Sequence, residues 1–400
     1  MTNVDRWMLP AGVEELLPDK AAVAESLRRQ ILDLFATWGY ELVIPPLIEF
    51  TDSLLIGMGR DVETQSFRLT DQLSGKPMAV RADITPQVAR IDAHSLHRDA
   101  VSRLCYAGSV LHARPRTQLE SRCPIQIGAE LYGDASVAAD IEVISLMLDM
   151  LEQVGATFDR LTLDLGHAAI FRHVSAVLEH ANPGAGSDVH SELFETIQRK
   201  SGSELQAQVA ALGVDATIAD ALLALPSLYG DKAMLDSARS KLAVFGDAVQ
   251  HAIDELVDIA AVITERYPSV NIYFDLAEAR GYEYHTGVVF AAYASGYGLA
   301  LANGGRYDDI GQVFGRARPA TGFNTDIKAL IDRMLAEGTT TMPEAAQASA
   351  IAAPLDTDVA LWQAISELRR KGNRVVQVSE QEAGAYTRKL VNAKGKWLVE

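Results

Sequence analysis

Cysteine is nearly absent from this 400-residue chain: Cys105 and Cys123 are the only two. That excludes a disulfide framework and a four-cysteine zinc site. Two reduced thiols in a cytosolic protein is the reading that remains. Basic charge is also short. Thirty-six Lys and Arg stand against 53 Asp and Glu, a net charge of −17. A surface of that sign repels phosphate backbones and disfavours general nucleic-acid binding. It still allows a local basic patch, and it can steer a basic partner. Long apolar runs are missing too, since no stretch reaches the roughly 18 residues of a membrane span. The opening MTNVDRWMLPAGVEELLPDK has no basic flank followed by an apolar run. No secretory signal is expected, and the expected location is cytoplasmic.

Self-contained catalytic signatures are lacking as well. There is no GxxxxGK[ST] loop, no GxGxxG after a strand, no HExxH and no GxSxG elbow. The nine histidines are scattered. His94 and His97 can share a helix face, but without acidic or thiol company they read as solvated. Neither a metal nor a cofactor is expected.

What is present is an ordinary globular composition, 48% hydrophobic and 22% charged. The length allows two or three domains at roughly 100–200 residues each. Val23, Leu27, Ile31, Leu34, Phe35 and Trp38 recur at helical spacing, after Asp19 as a cap and before Gly39 as a stop. YELVIPPLIEF reads as a buried strand broken by Pro45-Pro46, a pattern suited to an edge or an interface. SFRLTD and PMAVRAD are strands around the turn LSGK, and Thr85-Pro86 opens a helix running towards His94. Arg103–Val110 and Ile125–Tyr132 read as strands joined by a polar loop, and Ser136–Val154 as an amphipathic helix. From Gly166 to Pro268 the pattern is almost wholly helical. Strands return in SVNIYFDL, YHTGVVFAAYA and GLALANGG, and a helix covers about Thr325–Glu337. The fold class expected is α+β, a mostly antiparallel sheet flanked by helices. Residues 1–335 would form the core with a helical insertion at about 167–268, residues 336–350 a linker, and 351–400 a small C-terminal α/β domain.

Several segments in order resemble the class II aminoacyl-tRNA synthetases, closest to the histidyl enzymes. LPAGVEELLPDK is similar to their opening, and GYELVIPPLIEF to motif 1, with Pro46 as its proline and Glu49 after it. VRADITPQVARI is similar to the loop that begins the amino-acid pocket, with Ala82 in place of the usual proline. RLCYAGSVLHARPRTQLESRCPIQIGAELYG, residues 103–133, resembles motif 2, but His112 and Arg114 stand where an ATP-holding Arg and Glu are usual. EARGYEYHTGVVFAAY resembles the histidyl signature peptide, with His285 in place of a second Tyr, and NGGRYDDI follows as in the family. PATGFNTDIKALI resembles motif 3, in which Gly322 is kept while Asp326 and Ala329 replace the later Gly and the Arg.

The resemblance implies a class II synthetase-like core whose amino-acid half is kept and whose ATP half is altered. That combination is similar to one family, the regulatory subunits of ATP phosphoribosyltransferase. It implies no catalytic residues of its own, a short-form catalytic subunit as partner in a hetero-octamer, and self-association through motif 1 as a dimer. It implies L-histidine as effector, and neither tRNA nor a membrane as partner. Asp83 and Thr85 would meet the ammonium, and Arg280 the carboxylate. Glu130, Tyr284 and His285 would surround the imidazole, with Gln126 beside Glu130 on one strand face. A divergent histidyl-tRNA synthetase or amino-acid-activating paralogue is the alternative, and an amino-acid sensor a further one.

Overall fold

The structure, a computed structural model, describes residues 7–54, 64–115, 120–157, 160–181, 187–278, 284–338 and 350–400. Chain contacts divide it into two units, Met1–Glu14 with Leu27–Thr339 and Glu15–Ser26 with Thr340–Glu400.

The larger unit is built on a nine-stranded sheet of order β1-β5-β6-β12-β11-β10-β7-β9-β8. These strands are β1 Glu41–Leu42, β5 Ser102–Ser109, β6 Ile125–Tyr132, β7 Leu161–His167, β8 Tyr229–Gly230, β9 Asn271–Asp275, β10 Val288–Ala294, β11 Ala300–Arg306 and β12 Ala320–Asp326. Only β1–β5 and β7–β9 pair in parallel; every other pairing is antiparallel. The sheet is therefore mostly antiparallel, flanked by helices, as the motif order implies. The helix Val137–Gln153 packs on β12 and β6, and Asp247–Arg266 lies beside it over β7. Burial of Leu27, Ile31 and Phe35 follows from their helical spacing in Pro18–Thr37. Phe35 meets Phe323 of β12 edge-on at 5.8 Å.

Between β7 and β9 the chain forms the helices Ala168–Ala181, Ser187–Gln198, Gly202–Leu212, Ala216–Ala224, Lys232–Lys241 and Asp247–Arg266. A second sheet in this unit has order β2-β4-β3, with β2 Ile48–Phe50, β3 Phe67–Thr70 and β4 Pro77–Val80. The C-terminal unit carries β14-β13-β15-β16: β13 Ile351–Pro354, β14 Val375–Val378, β15 Arg388–Ala393 and β16 Lys396–Val399. Its helix Val359–Arg370 buries Leu361 and Ile365.

Four expectations need correction. The motif 1 stretch is not one buried strand. Its two proline rings remove successive ladder donors, and β1 and β2 join different sheets. Leu42, Ile44, Leu47, Ile48 and Phe50 are exposed, Ile44 at 82%. The helical stretch begins later than Gly166, because β7 runs to His167 and buries Leu161, Leu163 and Leu165 on alternate positions. The helix placed from Thr325 starts at Ile327, after β12. Asp19 lies inside the first helical turn, behind Pro18.

Candidate functional site

On β6 the side chains of Gln126 and Glu130 share one face by the two-residue period, with Gly128 between them on that face. Glu130 is 1% exposed. Thr85 Oγ1 and Tyr106 OH each donate to its Oε1 at 3.0 Å, and Tyr307 OH donates to Oε2. Burial outweighs these three donors and pushes the Glu130 carboxyl up to about 8. Burial likewise holds the hydroxyls of Tyr106, Tyr307 and Tyr284 well above their ordinary range, with the negative charge of Glu130 acting in the same sense. The result is a ring of neutral hydrogen-bonding groups around one carboxyl.

Glycines make room for it. Glu130 stands opposite Gly322 of β12, and Gly322 opposite Gly305 of β11. A Cβ on Gly322 would fall 1.5 Å from Glu130 Oε2, and one on Gly305 2.7 Å from His285 Cδ2. A Cβ on Gly128 would meet the Tyr106 hydroxyl at 2.6 Å. Strand glycines of this kind mark close approach.

The preceding loop is stapled to β6. Gln126 Nε2 donates to Asp83 Oδ1 at 3.0 Å, and Gln126 Oε1 accepts from the Ile84 N–H at 2.8 Å. Asp83 also accepts the Thr85 N–H at 2.9 Å. The helix Thr85–Arg90 is capped by Ile84, without a side-chain cap bond. Tyr284 stacks on Tyr307 at 5.3 Å and meets His285 edge-on at 5.2 Å. The structure therefore gathers Asp83, Thr85, Gln126, Glu130, Tyr284 and His285 around the glycine-floored part of the sheet. Arg280 lies outside the described residues.

In the segments that resemble motifs 2 and 3, His112 Nε2 sits 3.0 Å from Ala82 O, and Arg114 is exposed. Asp326 caps the helix Ile327–Glu337, accepting the Lys328 N–H, and takes the Ile125 N–H as well, both at 3.0 Å. Burial still pushes its carboxyl up to about 6. Among the described residues no group of three or more His, Cys, Asp or Glu is placed to hold a metal ion.

Sequence reasoning missed Tyr106 and Tyr307, the two hydroxyls that complete the ring. It also missed Arg306, which is buried and aims the β11 end that carries Tyr307. Arg306 pairs with Asp140 at 2.9 Å and donates to Asp134 O and Ser136 O at 3.1 Å. The only local signal was NGGRYDDI, whose glycines mark tight packing without saying what packs there.

Known proteins share both parts of the chain. Residues 12–330 match the family model described as histidyl-tRNA synthetase, and residues 348–400 match that of the ATP phosphoribosyltransferase subunit HisZ C-terminal domain. An ATP phosphoribosyltransferase regulatory subunit of Ectopseudomonas mendocina is 50% identical over 100% of this chain and 99% of its own. A solved Bacillus halodurans protein, titled ATP phosphoribosyltransferase regulatory subunit/histidyl-tRNA synthetase, aligns with TM-score 0.80 at 25% identity, over 97% of this chain and 99% of that one. A chain of the ATP phosphoribosyl transferase (HisG:HisZ) complex from Thermotoga maritima shares the fold, with TM-score 0.57 at 15% identity over 78% of this chain and 98% of that one. Identity at this level over the full length places the chain in the family of ATP phosphoribosyltransferase regulatory subunits.

Proposed function

We propose that this chain acts without catalysis of its own, as the regulatory subunit that binds a short-form ATP phosphoribosyltransferase catalytic subunit. In this reading it raises that subunit's activity in the first step of L-histidine synthesis and conveys inhibition by histidine. The complex is a cytoplasmic hetero-octamer, and the chain pairs with itself as a dimer through the motif 1 segment, residues 39–50. One observation carries the reading: half identity to regulatory subunits over the whole length, rather than over one domain. The site supports it. A ring of Glu130, Tyr106, Tyr284 and Tyr307 suits a small planar ligand with ring nitrogens, and Asp83 beside it suits an ammonium group. His112, in the place of an ATP-holding motif 2 residue, lies against a backbone carbonyl, and Ala329, in the place of the motif 3 Arg, has no charge to offer a phosphate.

Histidine inhibits only if it binds one state of the complex better than another. A coupling of about 1–3 kcal/mol gives a 5- to 150-fold effect. The test is co-purification with a short-form catalytic subunit, then activity with and without this chain and across a histidine titration. No complex, or no change in activity, would overturn the proposal. The match of residues 12–330 to the histidyl-tRNA synthetase family favours a second reading, a divergent synthetase. Histidine-dependent ATP–pyrophosphate exchange would establish that instead.

A further inference from the structure

Two of the hydroxyls that meet Glu130, those of Thr85 and Tyr307, arrive on chain segments that a buried ion pair fastens together away from the pocket. Thr85 opens a helical run that passes without a break from the α-helix Thr85–Arg90 into the π-helix Ile91–Leu96. Asp92 lies about two turns further along this run and is 1% exposed. Both of its carboxylate oxygens lie 3.0 Å from Arg318 Nη1. The run ends at His97, which adopts φ 48° and donates its N–H to Asp92 O at 3.0 Å. Asp92 is thus held by side chain and backbone at once.

Arg318 leads into the other segment. It is buried and stands two residues before Ala320, the first residue of β12. Its Nη2 donates to Ala100 O at 2.6 Å. Gly133, at φ 93°, yields the space, since a Cβ there would fall 2.1 Å from Arg318 Nη2. The Gly133 N–H donates to Pro319 O at 2.7 Å, which ties the same stretch to the end of β6. Ala320 O accepts the Tyr307 N–H at 2.8 Å, and the Ala320 N–H donates to Asp308 Oδ1 at 2.9 Å. So Asp92 anchors the segment that brings Thr85 to one oxygen of Glu130, and Arg318 the segment that brings Tyr307 to the other.

Stability alone does not call for such a pair, because apolar residues of similar volume are often as good or better. What the pair adds is direction. One guanidinium nitrogen sits on both carboxylate oxygens and another on Ala100 O, so the planar group has one orientation. A π-helix also has a close competitor, the α-helix, that differs from it in register. Without the anchor the run can change register and turn Thr85 relative to Tyr307.

We infer that Asp92 and Arg318 are positioning residues: without touching the ligand, they set Thr85 and Tyr307 at the angles that present Glu130 to it. The inference rests on the histidine pocket proposed above.

The experiment uses the full chain and reads melting temperature and histidine affinity, the latter by calorimetric titration. Asp92→Val combined with Arg318→Met replaces the pair by apolar side chains, a change that keeps the fold. Histidine affinity is expected to fall about tenfold, the net worth of one hydrogen bond. Thr85→Val combined with Tyr307→Phe removes both hydroxyls and weakens binding by itself. On that background the pair substitution should have little further effect, because the pair acts through those two groups. A merely structural pair would move the melting temperature and leave the affinity unchanged, which would overturn the inference. An equal loss on both backgrounds would overturn it too, since the pair would then act by another route. Should the pair variant not fold, Arg318→Lys keeps a charge opposite Asp92 and gives up the planar fork. It is expected to give a smaller loss that vanishes on the Thr85→Val, Tyr307→Phe background, and a loss that persists there counts against the inference. Failure of the pocket itself is distinguishable: histidine then does not bind wild type, or binds Glu130→Ala equally well, and the inference falls with it.

Discussion

Glu130 sets most of the chemistry of the pocket. Its carboxyl is raised from 4.5 to about 8, so the folded protein keeps a proton that the unfolded chain has released across that window. Stability therefore falls as pH rises from about 4.5 to 8, by a few kcal/mol at most. Glu130→Gln should flatten that slope and gain on wild type at the alkaline end, as read by urea midpoints over the pH series; an equal slope in both proteins would show that another group is responsible. Gly322 is as restrictive. Gly322→Ala places a methyl where the Glu130 carboxylate lies, with an expected loss of about 1–3 kcal/mol and weaker histidine binding, measured by denaturation and titration. Glu130 and Gln126 were legible as a pair because four residues on a strand return to one face. Tyr106 and Tyr307 were not: alternation marks Tyr106 as inward without telling a core ring from one whose hydroxyl meets a carboxyl 24 positions away, and Tyr307 lies just past the end of β11, 177 positions from Glu130.

At the scale of elements, Asp326 joins three of them. It ends β12, caps the next helix and bonds Ile125. Asp326→Ala should cost about 1–2 kcal/mol as a lost cap. Asp326→Asn should keep most of that cap. It should also remove a titration that lowers stability as pH rises from 3.8 to about 6, visible as a flatter melting curve series. The six-residue π-helix Ile91–Leu96 is held by a second such anchor, Asp92 to Arg318 at 3.0 Å, both buried. Arg318→Met leaves Asp92 buried and unpaired, with an expected loss of about 3–5 kcal/mol in chemical denaturation. The long helices were readable from apolar spacing, and Gly39, at φ 83°, stops the first as expected. β7 was not readable as such. Its LTLDL alternation is short and runs straight into Ala168–Ala181, so helical context masked a strand that the sheet places between β10 and β9.

For the whole molecule, the charge of −17 opposes the meeting of two copies. Salt shortens the Debye length from about 10 Å at 0.1 M to about 3 Å at 1 M and relieves that repulsion. Self-association through the apolar 42–50 face should therefore strengthen with ionic strength, and a sedimentation series that weakened would point to a charged interface instead. The order of motifs along the chain and the mostly antiparallel sheet were determined by sequence, because they depend on residue type, spacing and period. The upward shift of the Glu130 carboxyl, the glycine floor beneath it, the exposure of the Pro45-Pro46 segment and its ties through Arg81 and Gln87 to the pocket loop were decided only by the tertiary structure. Each depends on which distant groups share a small buried volume, and burial and pairing across that volume have no local signature in the chain.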